Sequence, residues 1–200
     1  MRKKPEKPVL LTHGPDHWNN ACIDGYGDNW SRYARGYRTA ADRLVAHIDE
    51  VQRDQDSLVY PILFLYRQYL ELRLKHLSRD ASAILDQAFE VPMTHRLLDL
   101  WRPLKAKVIE IEKRFGMMGE RTVLVKAEGV LAALGEIDPL SDAFRYPINS
   151  KGEQSLSSDV RYINLRHFKE QIDEVATLLE GVDTHLQVLG DMKANFEQSI

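Results

Sequence analysis

A single cysteine, Cys22, stands among the 200 residues. An internal disulfide is excluded, and a small fold held together by cross-links is excluded with it; one free thiol suits a reducing compartment. No apolar run approaches the roughly 18 residues that a membrane-spanning helix needs. The basic start, Met1-Arg-Lys-Lys-Pro-Glu-Lys-Pro8, is followed only by Val9-Leu-Leu11, too short for the apolar stretch of a secretory signal. Charge of one sign is not in excess. The chain carries 27 Lys and Arg against 30 Asp and Glu, a net of −3, so any nucleic-acid binding has to come from a local patch. Strand-period alternation, internal repeats and low-complexity tracts are missing. So are a Walker phosphate loop and a GxSxG nucleophile turn. The expectation is a soluble, cytoplasmic protein with no membrane segment.

What is present is helical periodicity. The chain is 44% hydrophobic and 28% charged, the balance of one globular domain. Residues 1–30 read as an arm or loop, with Gly, Pro, Asn and Asp frequent from residue 12 on. Tyr33, Tyr37, Ala40, Ala41, Leu44, Ile48 and Val51 recur at three- and four-residue steps, which predicts a helix over 31–55. The second helix, capped by Asp56 or Ser57 with Pro61 in its first turn, runs to about residue 80. Apolar and aromatic residues from Ile62 to Leu77 cover most of its circumference, so it should lie at the centre of the fold. A short helix is expected over 81–89. Another starts at Thr94 as cap, kinks or restarts at Pro103 and ends at Gly116. A further one covers 122–134 and is closed by Gly135. Residues 136–164 lose periodicity around Pro139, Pro147, Asn149 and Gly152, a long connection with a hairpin near 149–152.

The last segment has the most regular pattern. Leu165, Phe168, Ile172, Val175, Leu179, Val182, Leu186 and Leu189 step 3-4-3-4-3-4-3, an a/d heptad seam that Lys193 interrupts and Phe196 resumes. Gly181 and Gly190 are the two places where this helix is weakest. The spacing serves a bundle interior and a two-copy interface equally, and the expected partner is a second copy, a homodimer through this seam. The predicted fold is all-α: an up-and-down helical bundle of about five to six helices with a long C-terminal helix. The arm covers 1–30, the bundle 31–184 and a helical extension 185–200.

Three groups of residues bear on chemistry. Arg67, Glu71 and Lys75 recur at i, i+4 and i+8 in the otherwise apolar second helix. That wedge faces either water, as two exposed ion pairs of little energetic weight, or a polar seam shared with another element, for which His95 and Arg145 are the candidates. Trp30-Ser-Arg-Tyr-Ala-Arg-Gly-Tyr-Arg38 interleaves arginines with aromatics, and Arg32, Tyr33, Arg35 and Arg38 are the mixture that would stack on bases and hold phosphates of single-stranded RNA. The same spacing equally describes a helix with its tyrosines packed inward and its arginines solvated. His13-Gly-Pro-Asp-His17, with Cys22 and Asp24 nearby, has metal-ligand residue types. Gly14-Pro15 prevents the i,i+4 helical presentation of two histidines, and no second ligand pair follows, so no metal or cofactor is expected.

Three segments in order then resemble the HEPN family. Gln68-Tyr-Leu-Glu71-Leu-Arg-Leu-Lys75-His-Leu77 is similar to its second-helix signature. Thr94-His95-Arg-Leu97-Leu-Asp-Leu100 resembles its Thr-His-x-Leu-x-x-Leu helix start, and Ala143-Phe-Arg145-Tyr146-Pro147 its Arg-Tyr-Pro segment before the final helix. The resemblance spans residues 57–184. It implies a helical bundle, usually dimeric, in toxin–antitoxin or antiviral defence systems, with RNA and an antitoxin or defence protein as partners. It also implies metal-independent RNA cleavage by an Arg-x(4–6)-His motif, in which arginine holds the scissile phosphate and histidine moves protons. After Arg145 the positions for that histidine hold Ser150, Lys151 and Gly152. The motif's formal match is Arg161-Tyr-Ile-Asn-Leu-Arg-His167. The catalytic candidates are therefore Arg161, His167 and Arg145. The alternative function is a non-catalytic, dimerising helical module that regulates a partner protein or senses a small ligand.

Overall fold

The computed structural model describes residues 13–23, 28–116 and 119–197. The basic start, Asp24 and the side chain of Phe196 lie outside the described residues. Among those described, five α-helices and no strand are found: α1 (Asn29–Val51), α2 (Gln55–Ile84), α3 (Leu97–Arg114), α4 (Arg121–Ile137) and α5 (Leu165–Glu197). A 3-10 turn at His17–Asn19 precedes them. The fold is an all-α bundle with α2 at its centre, packed against α1, α3 and α5, while α4 bridges α3 and α5.

Asp28 starts α1 by accepting from the backbone N–H groups of Trp30 and Ser31, the bonds that a helix start leaves unmade. The inward stripe of α1 is Ala34, Tyr37, Ala41, Val45 and Ile48. Tyr33 and Ala40, expected on that stripe, face out, and Tyr33 is 57% exposed. The small Ala34 and Ala41 let α1 lie close on α2, and that approach sets the rotation of the helix.

α2 is one helix of 30 residues. The short helix expected over 81–89 is absent, because α2 continues to Ile84, with Ala81 and Ile84 still in the core. The helix starts at Gln55, so Pro61 sits in its second turn rather than its first. Pro61 is exposed there, and the carbonyl it leaves without an N–H partner is that of exposed Ser57. Arg96, not Thr94, caps α3; the Thr94 hydroxyl accepts from the Arg96 N–H just outside the helix. α3 passes through Pro103 as a single helix and stops where Gly116 adopts φ +66°. α4 runs through Gly135 to Ile137. The hairpin-like turn at 149–152 is present, pinned by a bridge between Ile148 and Gln154, with Gly152 at φ +81°.

α5 runs unbroken for 33 residues through Gly181 and Gly190, about 50 Å at 1.5 Å per residue. Its heptad seam faces its own chain. Ile172, Val175, Leu179, Val182, Leu186 and Leu189 are all buried in the core, and Phe168 packs against it. Within the chain, α2 and α4 cover that face of α5. Beyond residue 184, Leu186 and Leu189 are still part of the core. Lys193, the interruption, donates to the Ala83 carbonyl at 2.9 Å and pairs with Asp86, fastening the end of α5 to the end of α2.

Candidate functional site

The charged wedge of α2 faces protein, not water. Arg67 is fully buried, and Glu71 and Lys75 are buried beside it. The Arg67 guanidinium donates through Nε to the Asp138 carbonyl at 3.0 Å, lies 3.2 Å from Asp138 Oδ2, and donates through Nη2 to the His95 carbonyl at 2.7 Å. Nη1 reaches Glu71 Oε2 at 3.4 Å. Glu71 Oε1 accepts from Lys75 Nζ at 2.9 Å and meets His95 Nδ1 at 2.9 Å. Asp138 Oδ1 in turn accepts from the N–H groups of Asp142 and Ala143. A helix face, the approach to α3 and the loop after α4 are thus tied at one buried cation. Burial pulls the Arg67 guanidinium below its ordinary value, and Asp138 and Glu71 oppose that pull. The guanidinium stays charged, as arginine does in proteins.

Arg145 touches this seam only indirectly. Its Nε donates to the Ser141 carbonyl at 2.6 Å, and its guanidinium stacks over Phe64 and Tyr146 at 5.8 and 5.3 Å. Asp138, which sequence reasoning missed, is the carboxylate that pairs with Arg67. It follows α4 directly, and nothing local in Ile137-Asp138-Pro139 separates it from an ordinary loop aspartate.

Burial alone would raise the carboxyl of Glu71. Hydrogen bonds from Lys75 and His95 outweigh it and hold the group below its ordinary value of 4.5. A carboxylate whose folded pKa is depressed adds stability that is fully present above the unfolded value and is lost as pH falls through the folded one. The expected result is a melting temperature that falls as the solution is acidified below about pH 4.5, with a shallower fall in Glu71→Gln. Melting curves by circular dichroism across that range check it; parallel profiles for the two proteins would refute it.

Arg161 and His167 come together elsewhere. Both line an open cavity of about 810 Å³ between the α1–α2 turn and the start of α5, with Asp49, Asp56, Tyr60, Arg166 and Glu170 among its walls. Asn164 Oδ1 accepts from the His167 N–H at 3.0 Å, which seats His167 in the first turn of α5. Its imidazole is exposed, with Nδ1 at 3.7 Å from Glu170. Arg166 is paired with Asp49 at 2.6 Å. The Arg161 guanidinium meets no carboxylate among the described residues, and Tyr162 beside it is 96% exposed. Arg145 does not line this cavity. It lines a neighbouring one of about 480 Å³, with Tyr60, Phe144, Leu156 and Val160 as the shared wall.

No family model, curated protein or solved structure matches the chain.

The arginine–aromatic patch of α1 divides. Arg38 pairs with Asp173 at 3.2 Å and Glu180 at 2.5 Å and lies over the Tyr69 ring, bracing α1 against α5. Tyr33 and Arg35 are exposed but stand about 200° apart around the helix, so they share no face. Arg32 is half-buried beside them.

A second buried polar group escaped the sequence reading. Arg73 pairs with Asp183 at 2.9 Å and donates to His76 Nδ1 at 3.2 Å. His76 Nε2 lies 2.7 Å from Asp28 and 3.0 Å from Asp80, which Arg79 also holds. Since a guanidinium only donates, Nδ1 accepts and the imidazole proton sits on Nε2. This cluster joins the start of α1 to α2 and α5. Histidines 13 and 17 have ring centres 5.9 Å apart. Among the described residues no group of three or more His, Cys, Asp or Glu could hold a metal ion, and no helix is long and apolar enough to cross a membrane.

Proposed function

We propose that this chain is a HEPN-like protein of a conflict or defence system that binds RNA, with the 810 Å³ cleft as the place where a strand is held and cut. The observation that carries this reading is that Arg161 and His167 line that one open cavity. Arg161, which meets no carboxylate among the described residues, would hold the scissile phosphate and stabilise its developing charge. His167 would take the 2′-hydroxyl proton and return a proton to the leaving oxygen, with no metal in the step. The resemblance adds support, because its three segments converge: Glu71 meets His95 directly, and Arg67 reaches the Arg145 loop through Asp138. The polar seam itself is architectural in this reading, since every charged member is engaged by another.

Incubation of purified protein with total RNA in EDTA tests it. The expected result is cleavage that falls by about 10²–10⁴-fold in His167→Ala, the usual range for loss of a general acid–base, and falls in Arg161→Ala. Absence of cleavage by the unaltered protein overturns it.

One observation favours a second reading, a non-catalytic dimerising module that regulates a partner protein. The cleft has no basic excess: three carboxylates, Asp49, Asp56 and Glu170, face two guanidinium groups, Arg161 and Arg166, which is poorly suited to a polyanion. A tight dimer in light scattering without RNA cleavage or binding would establish it, with the contact on a face other than the α5 seam.

A further inference from the structure

We infer that the 480 Å³ cavity behind the Arg161 cleft is a binding site for a small organic carboxylate with an apolar or aromatic body. The inference does not rest on the RNA reading. It starts from what Arg145 does not do. The Nε of Arg145 is spent on the Ser141 carbonyl, and its guanidinium carbon lies over Phe64 and Tyr146. No carboxylate pairs with it among the described residues, so both Nη groups keep their donors. A guanidinium held at Nε and set against two rings is a pre-set fork, and its two Nη groups match the two oxygens of a planar carboxylate.

The rest of the cavity agrees. None of its lining residues is Asp or Glu, in contrast to the neighbouring cleft with three. Arg145 is its one charged group, which suits a monoanion better than a phosphate dianion. Tyr60, Phe144, Pro147, Leu156 and Val160 supply an apolar enclosure for the body of the ligand. Ser155, also on the wall, carries a hydroxyl that is buried without a hydrogen-bond partner, a donor that a ligand oxygen would satisfy. Gln154, Ser157 and Ser158 also line it, so polar groups that can orient a ligand stand beside the apolar ones in a recess of a few hundred Å³, the size of a small-molecule site. The turn at 149–152 holds this wall in place: Ser155 N–H bonds the Pro147 carbonyl and Asn149 N–H bonds the Glu153 carbonyl.

Calorimetric titration of the full chain with 3-phenylpropionate tests the assignment. The expected result is saturable 1:1 binding, weakened at least tenfold in Arg145→Gln and in Tyr60→Ala, and unchanged in His167→Ala. Melting curves of each variant without ligand confirm that it is folded. The neutral amide of the same acid should bind at least tenfold more weakly than the acid. Binding of the amide as tight as that of the acid, or undiminished binding in Arg145→Gln, overturns the site. Tighter binding of inorganic phosphate or a nucleoside monophosphate than of the acid overturns the ligand class. Loss of RNA cleavage in His167→Ala with retained acid binding keeps the two sites distinct.

Discussion

Replacing Arg67 by methionine is expected to lower the unfolding free energy by about 3–5 kcal/mol, the cost of removing one member of a buried ion pair. For a chain of this size that corresponds to a melting temperature lower by roughly 6–20 °C. The size of the effect comes from what is left behind. Asp138 is fully buried and Glu71 nearly so, and Arg67 is the cation that lies against both. Glu71 keeps Lys75 and His95, so the larger part of the loss falls on Asp138 and on the His95 carbonyl. Adding Asp138→Asn to Arg67→Met should therefore recover part of the loss, a coupling that a double-mutant cycle in urea measures directly. Strict additivity of the two changes would show that the pair does not interact. The methionine keeps the volume and apolar character of the site, which separates lost charge pairing from a packing defect.

Asp substitutions at Ile172 and Leu179 together are expected to abolish folding. Leu179 is fully buried and Ile172 is 1% exposed, both packed within the chain. Each aspartate places an unpaired charge in the core, a class of change that costs more than about 4 kcal/mol. Two such changes reach the total stability of an ordinary domain, about 5–15 kcal/mol. Loss of helical circular dichroism and of a cooperative melt checks this. A folded, helical monomer from the double variant would instead place the seam between copies. His185→Asp, an exposed position on the same helix, is the control and should shift stability by no more than about 0.5 kcal/mol. The truncating change Leu179→Ala, without a charge, should still cost about 2–5 kcal/mol.

The candidate site was legible in pieces. The i, i+4, i+8 spacing of Arg67, Glu71 and Lys75 put three charges on one side of an apolar helix, and His95 did prove to be their neighbour. Asp138 was not legible, because its partner is 71 positions away in sequence and neither end announces the other. The Arg73–His76 cluster was hidden for the same reason: Asp28 reaches it from the cap of α1 and Asp183 from α5. The residues of the expected RNA patch on α1 do not share one face. Residue types close in sequence were read as one face, whereas Arg38 turned toward acids of α5.

The sequence by itself determined the class of this protein. Helical periodicity is local, so the positions of α1, α4 and α5 and the absence of strands among the described residues follow from spacing and capping alone. It also determined that α2 is central, since an apolar surface on nearly all sides has to be covered on nearly all sides. Only the tertiary structure decided where the helices are covered and by what. A heptad seam fits a second copy as well as its own bundle, and the spacing is silent until the neighbours are in place. A charged wedge reads as solvated or buried according to a carboxylate that arrives from a distant loop. The two cavities are likewise tertiary. Arg161 and His167 lie six residues apart, but it is the α1–α2 turn that turns them into a cleft, and Arg145 stands on the other side of a wall that no spacing describes.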